Sequence, residues 1–313
     1  MKITALAGGV GAAKFLEGLV RIVPQENISI IVNTGDDEEF YGLYVCPDLD
    51  IITYTLAGIV DKNKGWGIKG DTFNCLEMLS KYGYETWFKL GDKDLATHIH
   101  RTLLLKQGRR LTEVAEDIAK KLGVKAKVIP MTDNRVRTMI VTDRGVLKFQ
   151  EYFVREKTKV KVKKVYYEGV EKATPSPEAL QALREADLVI VCPSNPILSI
   201  GPIISLREIR EELRRKKVTA ISPIVGGKAL KGPTDRLMRD LGIEPSAYSI
   251  AVLYKDFLDL LIIDEVDKHL KKEIEKVGIK VEVTNTVMKT IEDKINLARF
   301  TIKKSIELLL SPK

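Results

Sequence analysis

Five short apolar runs, each ending in a glycine-rich or polar loop, set the strongest limit on how this chain can fold. They are "ITALAGG" from Ile3, "ISIIVNTGDD" from Ile28, "DLVIVCPSNP" from Asp187, "VTAISPIVGG" from Val218 and "LLIIDEVD" from Leu260. A strand that is apolar on both faces needs cover on both faces, which is the situation in a parallel sheet flanked by helices. In open sheets of this kind, ligands settle where the loops gather at the carboxyl ends of the strands. Five such loops are therefore expected to line one crevice.

The intervening segments complete the outline. Residues 65 to 125 read as helical. Asp71 is placed to cap a helix Phe73–Tyr82 stopped by Gly83, Asp94 to cap Leu95–Gln107 stopped by Gly108, and Thr112 to start a third that ends at Gly123. Residues 126 to 168 read as β, with "VRTMIV" and "VLKFQEYFV" joined through Thr142-Asp143-Arg144-Gly145 as a hairpin. Ser176-Pro177 supplies the cap and first residue of a further helix. The expected fold is α/β: a Rossmann-like, mostly parallel sheet flanked by helices, with an inserted helical and β-hairpin subdomain. The core is expected in residues 1–64 and 170–313, and the inserted lid in 65–169.

Composition narrows the function. With 313 residues, 44% of them apolar, the chain can bury the core of one elaborated domain or two. The N-terminus enters a strand within two residues, and no apolar run approaches the ~20 residues of a membrane span. Cys46, Cys75 and Cys192 show no metal-knuckle spacing. A reduced, cytoplasmic protein without a membrane segment is the expectation. The formal charge of +8 is concentrated in "KTKVKVKK" (157–164) and "REELRRKK" (210–217). No aromatic residues interleave with either block, so both read as solvated faces, with no nucleic-acid partner. A basic balance also suits a polyphosphate substrate.

The loop "LAGGVGAAKF" carries Gly8, Gly9, Gly11 and Lys14. It begins like a dinucleotide loop, but Lys14 stands where the third glycine belongs. It is not a P-loop either, because no hydroxyl follows Lys14. Backbone N–H groups and a helix N-terminus remain to hold an anion, with a simple tight turn as the alternative. The loop after the second run places Asp36, Asp37, Asp48 and Asp50 near the same strand ends. Such carboxylates suit Mg²⁺, which takes one or two of them and leaves its other positions to phosphate and water. Asp48 or Asp50 is also placed to cap a helix Leu49–Gly58. On one helix, His98 and His100 stand about 200° apart and cannot share an ion. A surface or substrate-contacting histidine is the better reading, and Lys89 lies in the loop before them. Ser194 and Asn195 follow the third run, and Gly226, with Gly227, Lys228 and Lys231, follows the fourth. Both loops are expected beside the glycine loop, binding nucleotide. Nothing points to covalent catalysis, whereas phosphoryl transfer needs mainly positioning and charge, which these residues supply.

Taken together, "LAGGVGAAKFLEGL", "VNTGDD", "CPDLD", "GDTF", "LGDKDLATH", "CPSNPILSIGPIISL", "ISPIVGG" and "YKDFLD" resemble the 2-phospho-L-lactate transferase family of coenzyme F420 biosynthesis, over most of the chain. The resemblance implies a Mg²⁺-dependent transferase of substituted phosphate groups. It would move a 2-phospholactyl or enolpyruvyl phosphate group from a guanosine diphosphate conjugate to the deazaflavin Fo, releasing GMP and forming coenzyme F420-0 or its dehydro form. It implies that Gly8, Gly9, Gly11 and Lys14 cradle the donor diphosphate, that Asp50 and Lys89 contact Fo, and that Asp50 orients or deprotonates the reacting hydroxyl; His98, read above as a substrate-contacting histidine, is expected to contact Fo as well. The insert would then form part of the acceptor site. It also implies a homodimer, with the helix around Val287–Leu310 as a candidate interface. The alternative from another class is a non-catalytic nucleotide- or nucleotide-sugar-binding regulator.

Overall fold

The computed structural model describes residues 1–310. Seven strands form one sheet: β1 (Ile3–Ala7), β2 (Ile28–Val32), β3 (Lys127–Pro130), β4 (Leu188–Val191), β5 (Val218–Ile221), β6 (Leu260–Ile263) and β7 (Lys280–Val283). Their spatial order is β7-β6-β5-β4-β1-β2-β3. Every neighbouring pair is parallel, with Ile3 beside Ile28 on one side of β1 and beside Leu188 on the other. The chain winds outward from β1 through β2 and β3, then returns to β1's other flank at β4. The connections that leave β1 and β4 therefore run to opposite sides of the sheet, which makes these two strand ends its switch point, the usual place for a ligand in an open sheet of this order.

The strands are apolar on both faces because both faces are covered. Leu6, Ile31, Val189 and Leu261 join one core cluster, and their neighbours Ala5, Ile30, Ile190 and Ile262 join the other. Adjacent strand residues point to opposite faces. Each fully buried Leu, Ile or Val contributes about 1.5–3 kcal/mol. Around the sheet lie α1 (Gly9–Leu19), α2 (Pro47–Leu56), α3 (Asn74–Lys81), α4 (Asp92–Lys106), α5 (Leu111–Lys121) and the C-terminal α6 (Ile291–Leu310). The buried face of α6, with Leu297 and Ala298, joins the same core as Leu16 and Leu19 of α1. This face of α6 is buried within the chain, while Ile291, Leu309 and Leu310 of the same helix are exposed.

Three expectations are corrected. The span 65–169 is not wholly an insert, because β3 pairs with β2 in the central sheet and α5 packs in its core. What stands apart is α3 and α4 on one side of α5–β3, and an antiparallel sheet of Arg137–Thr142, Gly145–Lys148 and Val162–Glu168 on the other. The hairpin turn is as expected: Thr142 Oγ1 accepts from the Arg144 N–H at 3.1 Å, and Gly145 adopts φ +117°. The strand read through "QEYFV" ends early, at a turn of π-helix over Glu151–Arg155. The helix caps also differ from the local reading. Asp71 does not cap α3; its carboxylate accepts from the Lys93 and Asp94 N–H groups at the start of α4 (2.8 and 3.1 Å). Asp92, in return, accepts from the Asn74 and Cys75 N–H groups at the start of α3 (3.1 and 3.0 Å). The two helix starts are tied crosswise, each by the other's aspartate. Asp94 and Thr112 lie inside their helices, and neither Asp48 nor Asp50 caps α2, whose N-cap is Cys46. Ser176 does cap its helix, accepting from the Ala179 N–H at 3.3 Å.

Candidate functional site

The glycine loop is built by close packing. A side chain on Gly8 would place its Cβ 2.7 Å from both Asp48 Oδ2 and Ser199 Cβ, and one on Gly11 would collide with the Pro193 carbonyl. Gly9 takes φ +68°, which other residues rarely adopt. The loop after β4 is pressed onto it, with Ser194 Oγ donating to the Gly8 carbonyl at 2.8 Å. Asn195 Oδ1 accepts from the Ile197 and Leu198 N–H groups at 2.9 Å each. These two side chains, expected to bind nucleotide, are therefore engaged in holding the loops together. Gly226 turns at φ +57° and donates its N–H to Asp267. That N–H is therefore already used.

The four acidic candidates separate into two environments. Asp48 lies against the start of α1, where it receives hydrogen bonds from Gly9 N–H and from Asn33 Nδ2 (2.9 Å). Burial nevertheless pushes its carboxyl up to about 6. Asp36 is 4% exposed, has an oxygen with no hydrogen-bond partner, and is raised well above the usual range by burial and then by the charge of Asp48. Asp37 is 1% exposed with both oxygens unpartnered; burial raises it to about 7, against the opposing charge of Arg137. Buried carboxylates without partners are costly unless a cation joins them. Asp36 and Asp48 sit beside the glycine loop and are the pair a hard divalent ion would complete.

Asp50 is different. Its carboxylate is gripped by the Arg101 guanidinium, Nη1 lying 3.1 Å from Oδ2 and Nη2 closer still to Oδ1. Arg101 is 2% exposed and also donates to the Tyr44 carbonyl at 3.2 Å. Burial works against its charge, but Asp50, together with Cys46 and Tyr54, offsets that and holds the guanidinium above its ordinary value. His98 lies behind this pair, 1% exposed, with Nδ1 3.7 Å from Asp50 and Nε2 3.4 Å from Asp94. Asp94 accepts from Tyr54 at 2.7 Å; burial tends to raise it, yet its hydrogen bonds and the nearby charges keep it below the usual carboxylate range. The expected contact between His98 and an acceptor is thus not available to a ring shut behind Asp50. His100 faces away and pairs with Asp117 at 2.8 Å, so the two histidines are separated as the helix period requires.

Among the described residues, the group of three whose ligand atoms all fall within 4.8 Å of one another is Asp50, Asp94 and His98; no three of Asp36, Asp37, Asp48 and Asp50 do so. Arg101 already supplies the cation at Asp50. Lys89 is exposed in the loop before α4 and free to meet a ligand. Lys14 is half-buried on the first turns of α1, its ammonium 3.4 Å from the Met288 carbonyl. Arg101 was not anticipated from sequence, although Asp94, His98 and Arg101 recur at i, i+4 and i+7 on one face of α4. No helix among the described residues is long and apolar enough to cross a membrane.

Comparison with known proteins shows the family and the fold. The family model described as 2-phospho-L-lactate transferase CofD matches residues 3–299. A 2-phospho-L-lactate transferase of Methanocaldococcus jannaschii is 45% identical over 305 residues, covering 96% of this chain and 97% of that protein. Those of Methanopyrus kandleri and Methanothermobacter thermautotrophicus are each 42% identical, covering 99% and 96% of this chain and 99% and 97% of their own. A crystal structure of a UPF0052 family protein from Bacillus halodurans superposes with a TM-score of 0.61 over 96% of this chain and 98% of that one. At 15% identity, that likeness concerns the fold alone.

Proposed function

The chain belongs to the CofD 2-phospho-L-lactate transferase family of F420 biosynthesis, and from that premise we propose how its own residues divide the work of the transfer. The donor is a guanosine diphosphate conjugate of lactate or enolpyruvate, and the acceptor is the terminal hydroxyl of Fo. The hydroxyl oxygen bonds to the phosphorus next to the three-carbon acid, the bond from that phosphorus to the bridging oxygen breaks, and GMP leaves with that oxygen. The hydroxyl proton passes to solvent or to a neighbouring carboxylate.

The observation that carries this reading is the meeting of a glycine loop with uncompensated carboxylates at the switch point of the sheet. The open N-terminus of α1 and Lys14 supply positive charge for the donor diphosphate. Asp48, raised by burial, and Asp36, raised by burial and then by the charge of Asp48, are the residues that would hold Mg²⁺, with Asp37 nearby. A Mg²⁺ ion held by these residues would supply charge neutralisation for the diphosphate. Asp50 accepts a hydrogen bond from the attacking hydroxyl and orients it. Its own orientation is fixed by Arg101, so it meets the acceptor as a preset acceptor rather than a free carboxylate. Arg101, His98, Asp94 and Tyr54 are positioning residues behind it. Lys89 reaches the acceptor from the loop before α4.

The test is GMP release on mixing the protein with Fo, Mg²⁺ and a panel of donors bearing lactate, enolpyruvate or a glycerate-derived group. GMP that appears only when Fo and Mg²⁺ are both present supports the reading. Nucleotide bound without GMP would instead identify a regulator.

A further inference from the structure

A cavity of about 410 Å³ opens between the start of α5, the segment after β3 and the hairpin 38–45. Its walls carry four arginines, Arg109, Arg110, Arg135 and Arg137, against two acids, Glu39 and Asp133. The volume is that of a small-molecule site, for which roughly 300–1,000 Å³ is usual. No glycine-loop residue and none of the four acidic candidates lines it, and β3 stands two strand spacings, about 10 Å, from β1. The charges in the cavity do not balance. Arg110 is satisfied by Asp133 at 3.0 Å and Glu178 at 2.6 Å, and Asp133 also accepts from the Thr112 N–H and hydroxyl at 2.8 Å each. Arg109 donates to the Glu113 carbonyl at 3.2 Å and has a long pair with Asp117 at 3.8 Å; Asp117 already serves His100 and Lys121 at 2.8 and 2.9 Å. Arg137 is 7% exposed, yet no carboxylate stands within ion-pair distance of it among the described residues. It donates to the Val136 carbonyl at 2.8 Å and to the Tyr44 hydroxyl at 3.2 Å, and Asp37, whose charge also acts on it, lies farther off. Arg135 is exposed, and its side chain has neither an ion pair nor a hydrogen bond among the described residues. Glu39 is exposed and unpaired as well, and offsets one of these charges at most. A buried guanidinium without a carboxylate is costly, and an anion entering the cavity removes that cost. Leu105, Leu111 and the Tyr44 ring, 5.5 Å from the Arg137 guanidinium, give the cavity an apolar side.

We propose that this cavity binds a phosphate monoester, with Arg135 and Arg137 on the phosphate and a small carbon body against Leu105 and Leu111. A phosphate monoester carries a charge of about −1.5 to −2 near neutral pH. That matches the surplus left by Arg109, Arg135 and Arg137 over Glu39, and guanidinium forks meet phosphate oxygens in pairs. The assignment does not depend on the donor reading given above. Tyr44 links the cavity to Asp50, because its carbonyl accepts from the Arg101 that grips that carboxylate.

Titration of glycerol 3-phosphate at constant ionic strength into wild type, Arg135→Met, Lys14→Met and Lys272→Met tests the assignment. Lys272 lies on the helix Lys271–Lys276, before the opposite edge strand β7, and serves as a charge-matched remote control. The Arg135 side chain holds nothing else in the fold, so its replacement leaves the structure intact. Arg135→Met binds glycerol 3-phosphate about 10-fold or more weakly than wild type, the effect of one charged hydrogen bond. Lys14→Met and Lys272→Met bind it as wild type does, and glycerol, which lacks the phosphate, does not compete. Equal affinity in Arg135→Met and Lys272→Met overturns the assignment, and if Lys14→Met is then the weaker binder the anion belongs to the glycine loop. Wild-type protein that binds no glycerol 3-phosphate, or that glycerol competes for equally, overturns it as well.

Discussion

Replacing Arg101 with methionine keeps much of the side-chain stem but leaves Asp50 and the Tyr44 carbonyl without their donor. Asp50 is 6% exposed and Arg101 2%, so water cannot take over. Removing one partner of a buried ion pair costs about 3–5 kcal/mol, because the other charge stays buried and uncompensated. At roughly 2 °C per kcal/mol for a chain of this size, the melting temperature falls by about 6–10 °C. Asp50→Asn strands the guanidinium and has a cost of similar scale. The double variant removes both charges, so its cost falls short of the sum of the singles by about 2–3 kcal/mol. Urea midpoints of the four proteins, compared at unchanged slope, measure this coupling directly. Single costs below about 1 kcal/mol, or a double variant additive to within ~0.5 kcal/mol, would show that Arg101 does not hold Asp50 and would remove the positioning role assigned to it.

Measured below its unfolding transition, Asp50→Asn lowers kcat by about 10²-fold or more with little change in donor affinity. Asp71→Asn does far less, since asparagine also serves as the cap that Asp71 provides to α4. Lys14→Met weakens GDP binding by about 1.5–3 kcal/mol while Fo titrations are unaltered; an unchanged GDP affinity would leave the anion to backbone groups alone. Without Mg²⁺, stability falls as pH rises: Asp37 and Asp48 have folded values near 7 and 6, above their ordinary 3.8, so the folded state favours their neutral forms, and that contribution is full below about 4 and lost by about pH 7. Melting curves from pH 4 to 8 show this decline, and Mg²⁺ added at pH 7.5 reverses it; a flat profile in both conditions would count against a cation at these carboxylates.

How much of this was legible in the sequence depends on the range of the interaction. The inner strands announce themselves because both faces are buried, as at Leu188–Val191. β3 lies within a stretch that reads as β, but not as part of the central sheet, because "KVIP" is short, carries a lysine and ends in proline, as edge strands do. A local cap such as Ser176 on its own helix is visible from spacing. The crossed caps of Asp71 and Asp92 are not, since each acts on a helix start about twenty positions away in the chain. The glycine loop and its carboxylates could be found by residue type, but Ser194 and Asn195 look the same whether they bind a ligand or brace a turn. Arg101 was the hardest to see. A mid-helix arginine usually means a solvated face, and only its register with Asp94 and His98 marks it as buried. The resemblance supplied what spacing could not: the identities of donor and acceptor.

The account stands or falls on which bond of the donor is cleaved, and mass analysis of the products from a single incubation with Fo and Mg²⁺ reads that directly. Attack on the phosphorus next to the three-carbon acid yields GMP and a phosphodiester joining that acid to Fo, in equal amounts. Formation of a guanylylated Fo together with free phospholactate or phosphoenolpyruvate would place the attack on the other phosphorus and contradict the assignment of the site.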